Sequence, residues 1–128
     1  MNMRDVPVSK NSEIEQPIPT IWRETISQIV CSFVNKDYEN STVIAGLEKL
    51  DQQTVNHIKD YIADYGEELV PLPEETWQTS VCLWADTHWD ILVDLWTESE
   101  GQSDLVLKAT VRESECNYLF NIEMVFVP

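Results

Sequence analysis

Lysine and arginine are missing from the middle of this 128-residue chain: none occurs between Lys59 and Lys108. Twelve acids do, at Asp60, Asp64, Glu67, Glu68, Glu74, Glu75, Asp86, Asp90, Asp94, Glu98, Glu100 and Asp104. Over the whole sequence 23 acids stand against 8 bases, a net charge of −15. Such a chain repels phosphate backbones and anionic headgroups, so neither nucleic-acid nor membrane-surface binding is expected. Solubility alone favours mixed signs, whereas clustering of one sign favours a field aimed at something cationic.

Glycine is also scarce. Three residues in all cannot furnish a glycine-rich phosphate cradle. The three cysteines, Cys31, Cys82 and Cys116, are odd in number and far apart, which fits neither a disulfide framework nor a CxxC metal site. They read as reduced thiols in a cytosol. No apolar run approaches the roughly 18 to 20 residues that span a bilayer. The opening MNMRDVPVSKNSEIEQPIP has no apolar h-region, so a cytoplasmic protein is expected.

What is present is enough for one core. The hydrophobic fraction is 43%, and the length suits a single domain. Residues 1–17 are polar and aperiodic and read as a flexible arm, leaving 18–128 as the domain. Trp22, Ile26, Ile29, Val30 and Phe33 recur at helical spacing and predict a helix from about Pro19 to Tyr38. Residues 39–50 read as a loop. Asp51 then caps a second helix whose apolar face is Val55, Ile58, Ile62 and Tyr65, with Gly66 as its stop. After the proline-punctuated connector the period becomes two, predicting strands at about 78–84, 89–98, 104–112 and 117–127. The expected fold is α+β, with two N-terminal helices on one face of a four-stranded antiparallel meander.

Strand alternation assigns faces. Trp89, Ile91, Val93 and Leu95 point one way, together with Leu105, Leu107, Ala109 and Val111. Tyr118, Phe120, Ile122, Met124 and Phe126 complete that side. Pairing residue 95 with 107 would set Asp94 opposite Lys108 and Asp90 opposite Arg112. The second face then mixes Asp90, Asp94, Lys108, Arg112, Asn121 and Glu123 with Leu92, Trp96, Val106 and Leu119. A merely solvated face has no need of Trp96. Either the arm or the 66–77 connector buries it, or this face is a docking surface.

Chemistry beyond docking finds little support. Asp86, His88 and Asp90 alternate as metal ligands can, yet the first two fall in a predicted turn, where local hydrogen bonding explains them. Glu67/Glu68 and Glu74/Glu75 lie in polar loops with nothing to raise a carboxyl pKa. Cys31 and Cys82 have no neighbouring histidine in the chain and read as inert thiols. No cofactor is expected. Within WADTHWDILVDLWTESEGQSD, three tryptophans and six carboxylates point instead to capture of a basic protein: an aromatic anchor with acidic steering. The candidate contact residues are Asp86, Asp90, Asp94, Trp96, Glu98, Glu100 and Asp104. The exposed sheet face also offers a surface for a homodimer, and the row of acids could imitate nucleic-acid phosphates. A small metal-dependent or acid–base enzyme built on Asp86, His88 and Asp90 is the alternative.

The stretch ADYGEELVPLPEETWQTSVCLWADTHWDILVDLWTESEGQSDLVL resembles an uncharacterised family of small bacterial proteins. The small acidic chain, with helices ahead of an antiparallel sheet, also resembles the immunity proteins of bacterial toxin systems, including contact-dependent growth inhibition. That resemblance implies one-to-one binding to a cognate toxin domain, over its active site or a neighbouring surface. It transfers no functional residue.

Overall fold

The computed structural model describes residues 5–39 and 43–128. The elements are β1 (Gln16–Pro17), α1 (Thr20–Val34), α2 (Gln52–Tyr65), a 3-10 turn (Glu74–Gln78), β2 (Val81–Trp84), β3 (Trp89–Thr97), β4 (Gly101–Ser114) and β5 (Asn117–Phe126). The strands form one antiparallel sheet in the order β1-β2-β3-β4-β5, so the molecule is α+β. Five strands replace the expected four. The extra one pairs Gln16 with Cys82 and Pro17 with Val81, and two residues are too few to show a period. Among the described residues no helix is long and apolar enough to cross a membrane.

The stripe on α1 is buried as its spacing requires, but the helix ends at Val34 rather than near Tyr38. Lys36 takes a left-handed φ of +59°. Its N–H donates to Phe33 O, and that of Asp37 donates to Ser32 O, the bond pair of a Schellman cap. Glycine usually occupies that position, so a lysine there leaves no stop signal to read. On α2 the expected signals hold. Asp51 Oδ1 accepts the Thr54 N–H at 2.7 Å, and Gly66 closes the helix at φ +83°. The Thr54 N–H holds the Asp51 carboxyl below its ordinary range. The cap's contribution is therefore present above the unfolded pKa and lost as pH falls through the folded one.

The core is centred on rings. Trp22 meets Trp89 at 5.1 Å, Tyr118 at 5.4 Å and Phe120 at 6.2 Å between centroids, all edge-to-face. Val55, Ile58 and Ile62 of α2 belong to the same buried cluster. The N-terminal segment adds to it: the Trp89 indole N–H donates to Ser9 O at 2.8 Å, and Val6 and Thr20 exchange hydrogen bonds. The outer edge of β5 is occupied. Glu48 N–H donates to Phe120 O, Phe120 N–H donates to Gly46 O, and His57 Nε2 reaches Val125 O at 3.0 Å. Contacts at Phe120 and Val125 interrupt the run of free backbone groups that would otherwise recruit another strand.

Two irregularities change which side chains meet. Val93, not Leu95, pairs with Leu107, which places Asp94 opposite Val106 and Asp90 opposite Thr110. The expected Asp94–Lys108 and Asp90–Arg112 pairings do not form. Face parity survives, because the shift is by an even number of residues. The cause is the tight connection of Thr97 to Gly101 and a break in register between Asp94 and Trp96. A second break, between Lys108 and Ala109, lies opposite Glu123. It turns Val125 into the core and sends Met124 and Phe126 to the other face, correcting their assignment.

Candidate functional site

Burial alternates strictly along β3. Trp89, Ile91, Val93, Leu95 and Thr97 are buried, while Asp90, Leu92, Asp94 and Trp96 are each half-buried. The register carries this second face across the sheet. Leu92 lies between Val81 and Lys108, and Lys108 is flanked beyond by Met124. Asp94 lies beside Val106, which lies beside Phe126. The result is a half-buried apolar band of Val81, Leu92, Trp96, Met124 and Phe126 around a buried Val106.

The charges on this face are unevenly satisfied. Lys108 pairs with Glu123 at 3.4 Å, and Arg112 with Glu48 at 2.6 Å. Both cations are thus engaged. Asp90 has His88 Nε2 at 3.2 Å, and Asp94 accepts from the Thr79 hydroxyl. The backbone of Asp94 is pinned too: its N–H donates to Ser80 Oγ and its carbonyl accepts from Thr76 Oγ1 at 2.6 Å. A strand held this firmly presents its outward carboxylate in a fixed place.

Trp96 is neither sealed in the core nor free in solvent. Its ring covers Gly101, with ring carbons 3.7 and 3.9 Å from where a Cβ would stand. The indole N–H is buried and, among the described residues, has no hydrogen-bond partner. The sequence-based alternatives put either the N-terminal arm or the 66–77 connector over this residue. The arm bonds to Thr20 and Trp89 instead. The connector runs beside β3: Val70 N–H donates to Trp96 O, and Leu69 bridges to Thr97.

At the Trp96 end the fold gathers acids that are distant in sequence. Glu98 N–H donates to Glu68 O, and Ser99 Oγ donates to the Glu67 carboxylate. The Tyr65 hydroxyl donates to Glu100 at 2.9 Å and accepts the N–H of Asp104 at 3.2 Å. That N–H pulls the phenol pKa down, but burial and the carboxylates of Glu100 and Asp104 together hold it above its ordinary value. Glu67, Glu68, Glu98, Glu100 and Asp104 therefore share one end of the molecule. Among the described residues, none of the five is in an ion pair.

Of the residues singled out from sequence, Asp90, Asp94 and Trp96 stand on the second face, with Glu98, Glu100 and Asp104 at its end. Asp86 is separate, exposed in the β2–β3 turn at φ +70°. Among the described residues no three His, Cys, Asp or Glu side chains are grouped to hold a metal ion. Cys82 is buried, and burial pushes its thiol up to about 11, which removes it as a nucleophile at neutral pH. Sequence reasoning missed the contributions of Glu67, Glu68 and Tyr65 to the acidic end. It also missed Met124 and Phe126 on the second face, since bulges leave no mark in an alternating pattern.

Residues 30–128 match a family described as a domain of unknown function, DUF7668. No curated protein and no solved structure matches the chain.

Proposed function

The chain belongs to the DUF7668 family, whose function is unknown, and from its surface we propose that it is a stoichiometric protein-binding inhibitor of the immunity-protein kind. In this reading α1 and α2 close the buried face of the sheet and leave the second face free. The partner is a basic, nuclease-type toxin domain met in the cytoplasm, docked against Asp90, Asp94, Trp96, Glu98, Glu100 and Asp104. Nucleases are basic because they grip phosphate, and an acidic inhibitor complements them.

The observation that carries the reading is the acidic end beside Trp96. Five acidic residues from two separate segments are brought to that end by backbone and side-chain hydrogen bonds, and among the described residues none of them is in an ion pair. Holding like charges together opposes folding, and a function that uses the field explains why the arrangement persists. Complementary charge lifts association from about 10⁵–10⁶ to about 10⁸–10⁹ M⁻¹s⁻¹ at low salt. Among the described residues Asp86, His88 and Asp90 do not form a group that could hold a metal ion, and on that ground the inhibitor reading is preferred to the metal-dependent alternative.

The test is direct titration. The purified chain is mixed with the product of the adjoining reading frame, which this reading requires to be basic, and heat and association rate are measured at two ionic strengths. One-to-one binding is expected, with charge reversal at Glu98 and Glu100 slowing association and flattening its salt dependence. Absence of binding at low salt, or rates that ignore both salt and charge reversal, defeats the reading.

A further inference from the structure

An acidic end explains steering but not grip, because exposed carboxylates contribute little once their partners are solvated. The grip must come from apolar surface that water leaves on binding. Resting on the basic-partner reading above, we infer that the second face of the sheet is the partner's seat, and that its occupant is an amphipathic basic segment of that partner. The apolar band of Leu92, Trp96, Val106, Met124 and Phe126 receives its apolar side chains, and Asp90 and Asp94 receive its lysines or arginines.

The register supports this choice of occupant. Asp90 and Asp94 face Thr110 and Val106 across β4, and their side-chain neighbours are His88 and the Thr79 hydroxyl, with no lysine or arginine against either among the described residues. The two cations of the face, Lys108 and Arg112, are already held by Glu123 and Glu48. Its spare charge is therefore negative and sits among apolar side chains. A second copy of the chain would set these same aspartates against each other and bring together two molecules of net charge −15. A purely cationic polymer satisfies the aspartates but leaves the band wet. A purely apolar or acidic segment fails the aspartates. Only a segment carrying both features meets both.

The molecule has a competing concavity, a groove of about 1340 Å³ along α1 lined in part by Arg23, Ser27, Cys31 and Trp77. There the Arg23 guanidinium lies 5.4 Å from the Trp77 ring centroid and donates to Ile18 O. The same lining carries Glu24, Asp37 and Glu74, so charge alone does not separate the two surfaces, and where a probe maps on the molecule must do so.

The experiment uses the isotopically labelled full chain and three synthetic probes: an amphipathic Leu/Lys peptide, its Leu/Glu counterpart and poly-lysine. Backbone amide shifts are followed during titration, and sedimentation measures self-association of the chain alone. Saturable one-to-one binding of the Leu/Lys peptide is expected, with shifts on β3, β4 and β5 and poly-lysine binding more weakly. Met124→Lys should reduce affinity on the order of tenfold, or about 1.4 kcal/mol. The charge-only double variant Asp90→Asn/Asp94→Asn should reduce it less, and amide dispersion shows whether each variant is folded. Leu/Lys binding mapped to the α1 groove or to α2 overturns this inference while leaving the basic-partner reading standing. So does equal binding of the Leu/Glu peptide to the sheet face, or self-association of the chain that Met124→Lys abolishes. If the Leu/Lys peptide does not bind at all while the adjoining basic protein does, this inference alone falls; if neither binds, both fall.

Discussion

The two faces of one sheet, made from the same strands, are built to different rules. The inner face is closed: Trp89, Leu95, Leu105, Leu107 and Val111 are each 0% exposed. The outer face interleaves half-buried apolar side chains with Asp90 and Asp94, which stand opposite Thr110 and Val106 rather than cations. On the first, every atom is in contact and volume decides stability. On the second, water still touches most side chains, so substitution should change binding more than folding. The difference teaches where to look for function. A residue can be aromatic and belong to a sheet without belonging to the core.

The contrast is sharpest at the tryptophans. Trp89→Ala removes a ring packed against Trp22, Trp84 and Tyr118 and the bond to Ser9 O. Denaturant unfolding should show a loss of about 3–5 kcal/mol. Gly46→Ala tests the strap on the β5 edge. Its Cβ would stand 2.9 Å from Tyr118 O, on backbone at φ +83°, and the expected loss is about 1–3 kcal/mol. Trp96→Ala should cost only about 1 kcal/mol of stability, yet weaken partner binding by about 2 kcal/mol or more as an anchor residue would. A stability loss matching that of Trp89→Ala, with affinity unchanged, would erase the distinction between the faces. Alkylation offers the mildest probe. Cys116, exposed in the β4–β5 turn, should react readily at neutral pH, and Cys82, buried with its thiol pushed up to about 11, should stay protected until the protein unfolds. Equal labelling of the two would mean that the inner face opens.

The legible parts of the molecule share a property: each depends on residues near one another in the chain. The α1 stripe, the Asp51 cap and the Gly66 stop are all local, and all three are in place. The α1 terminus was not legible, because Lys36 sits where glycine would have announced it. The candidate site was legible as a list of residues but not as a surface. Asp90, Asp94, Trp96, Glu98, Glu100 and Asp104 stand out from the sequence as charge and indole. Glu67, Glu68 and Tyr65 join them only because the connector and the end of α2 meet the β3–β4 turn.

By itself the sequence determined the helical stripes, the inward set on β3 and the one-sided charge of the middle of the chain. Helical spacing and strand alternation are local geometries, and charge is a matter of composition. Tertiary structure alone decided which residues oppose each other. Period two says which way a side chain points, but not what lies beside it. Tight turns and two breaks in register moved Asp90 and Asp94 away from the cations they would have neutralised, and carried Met124 and Phe126 to join them.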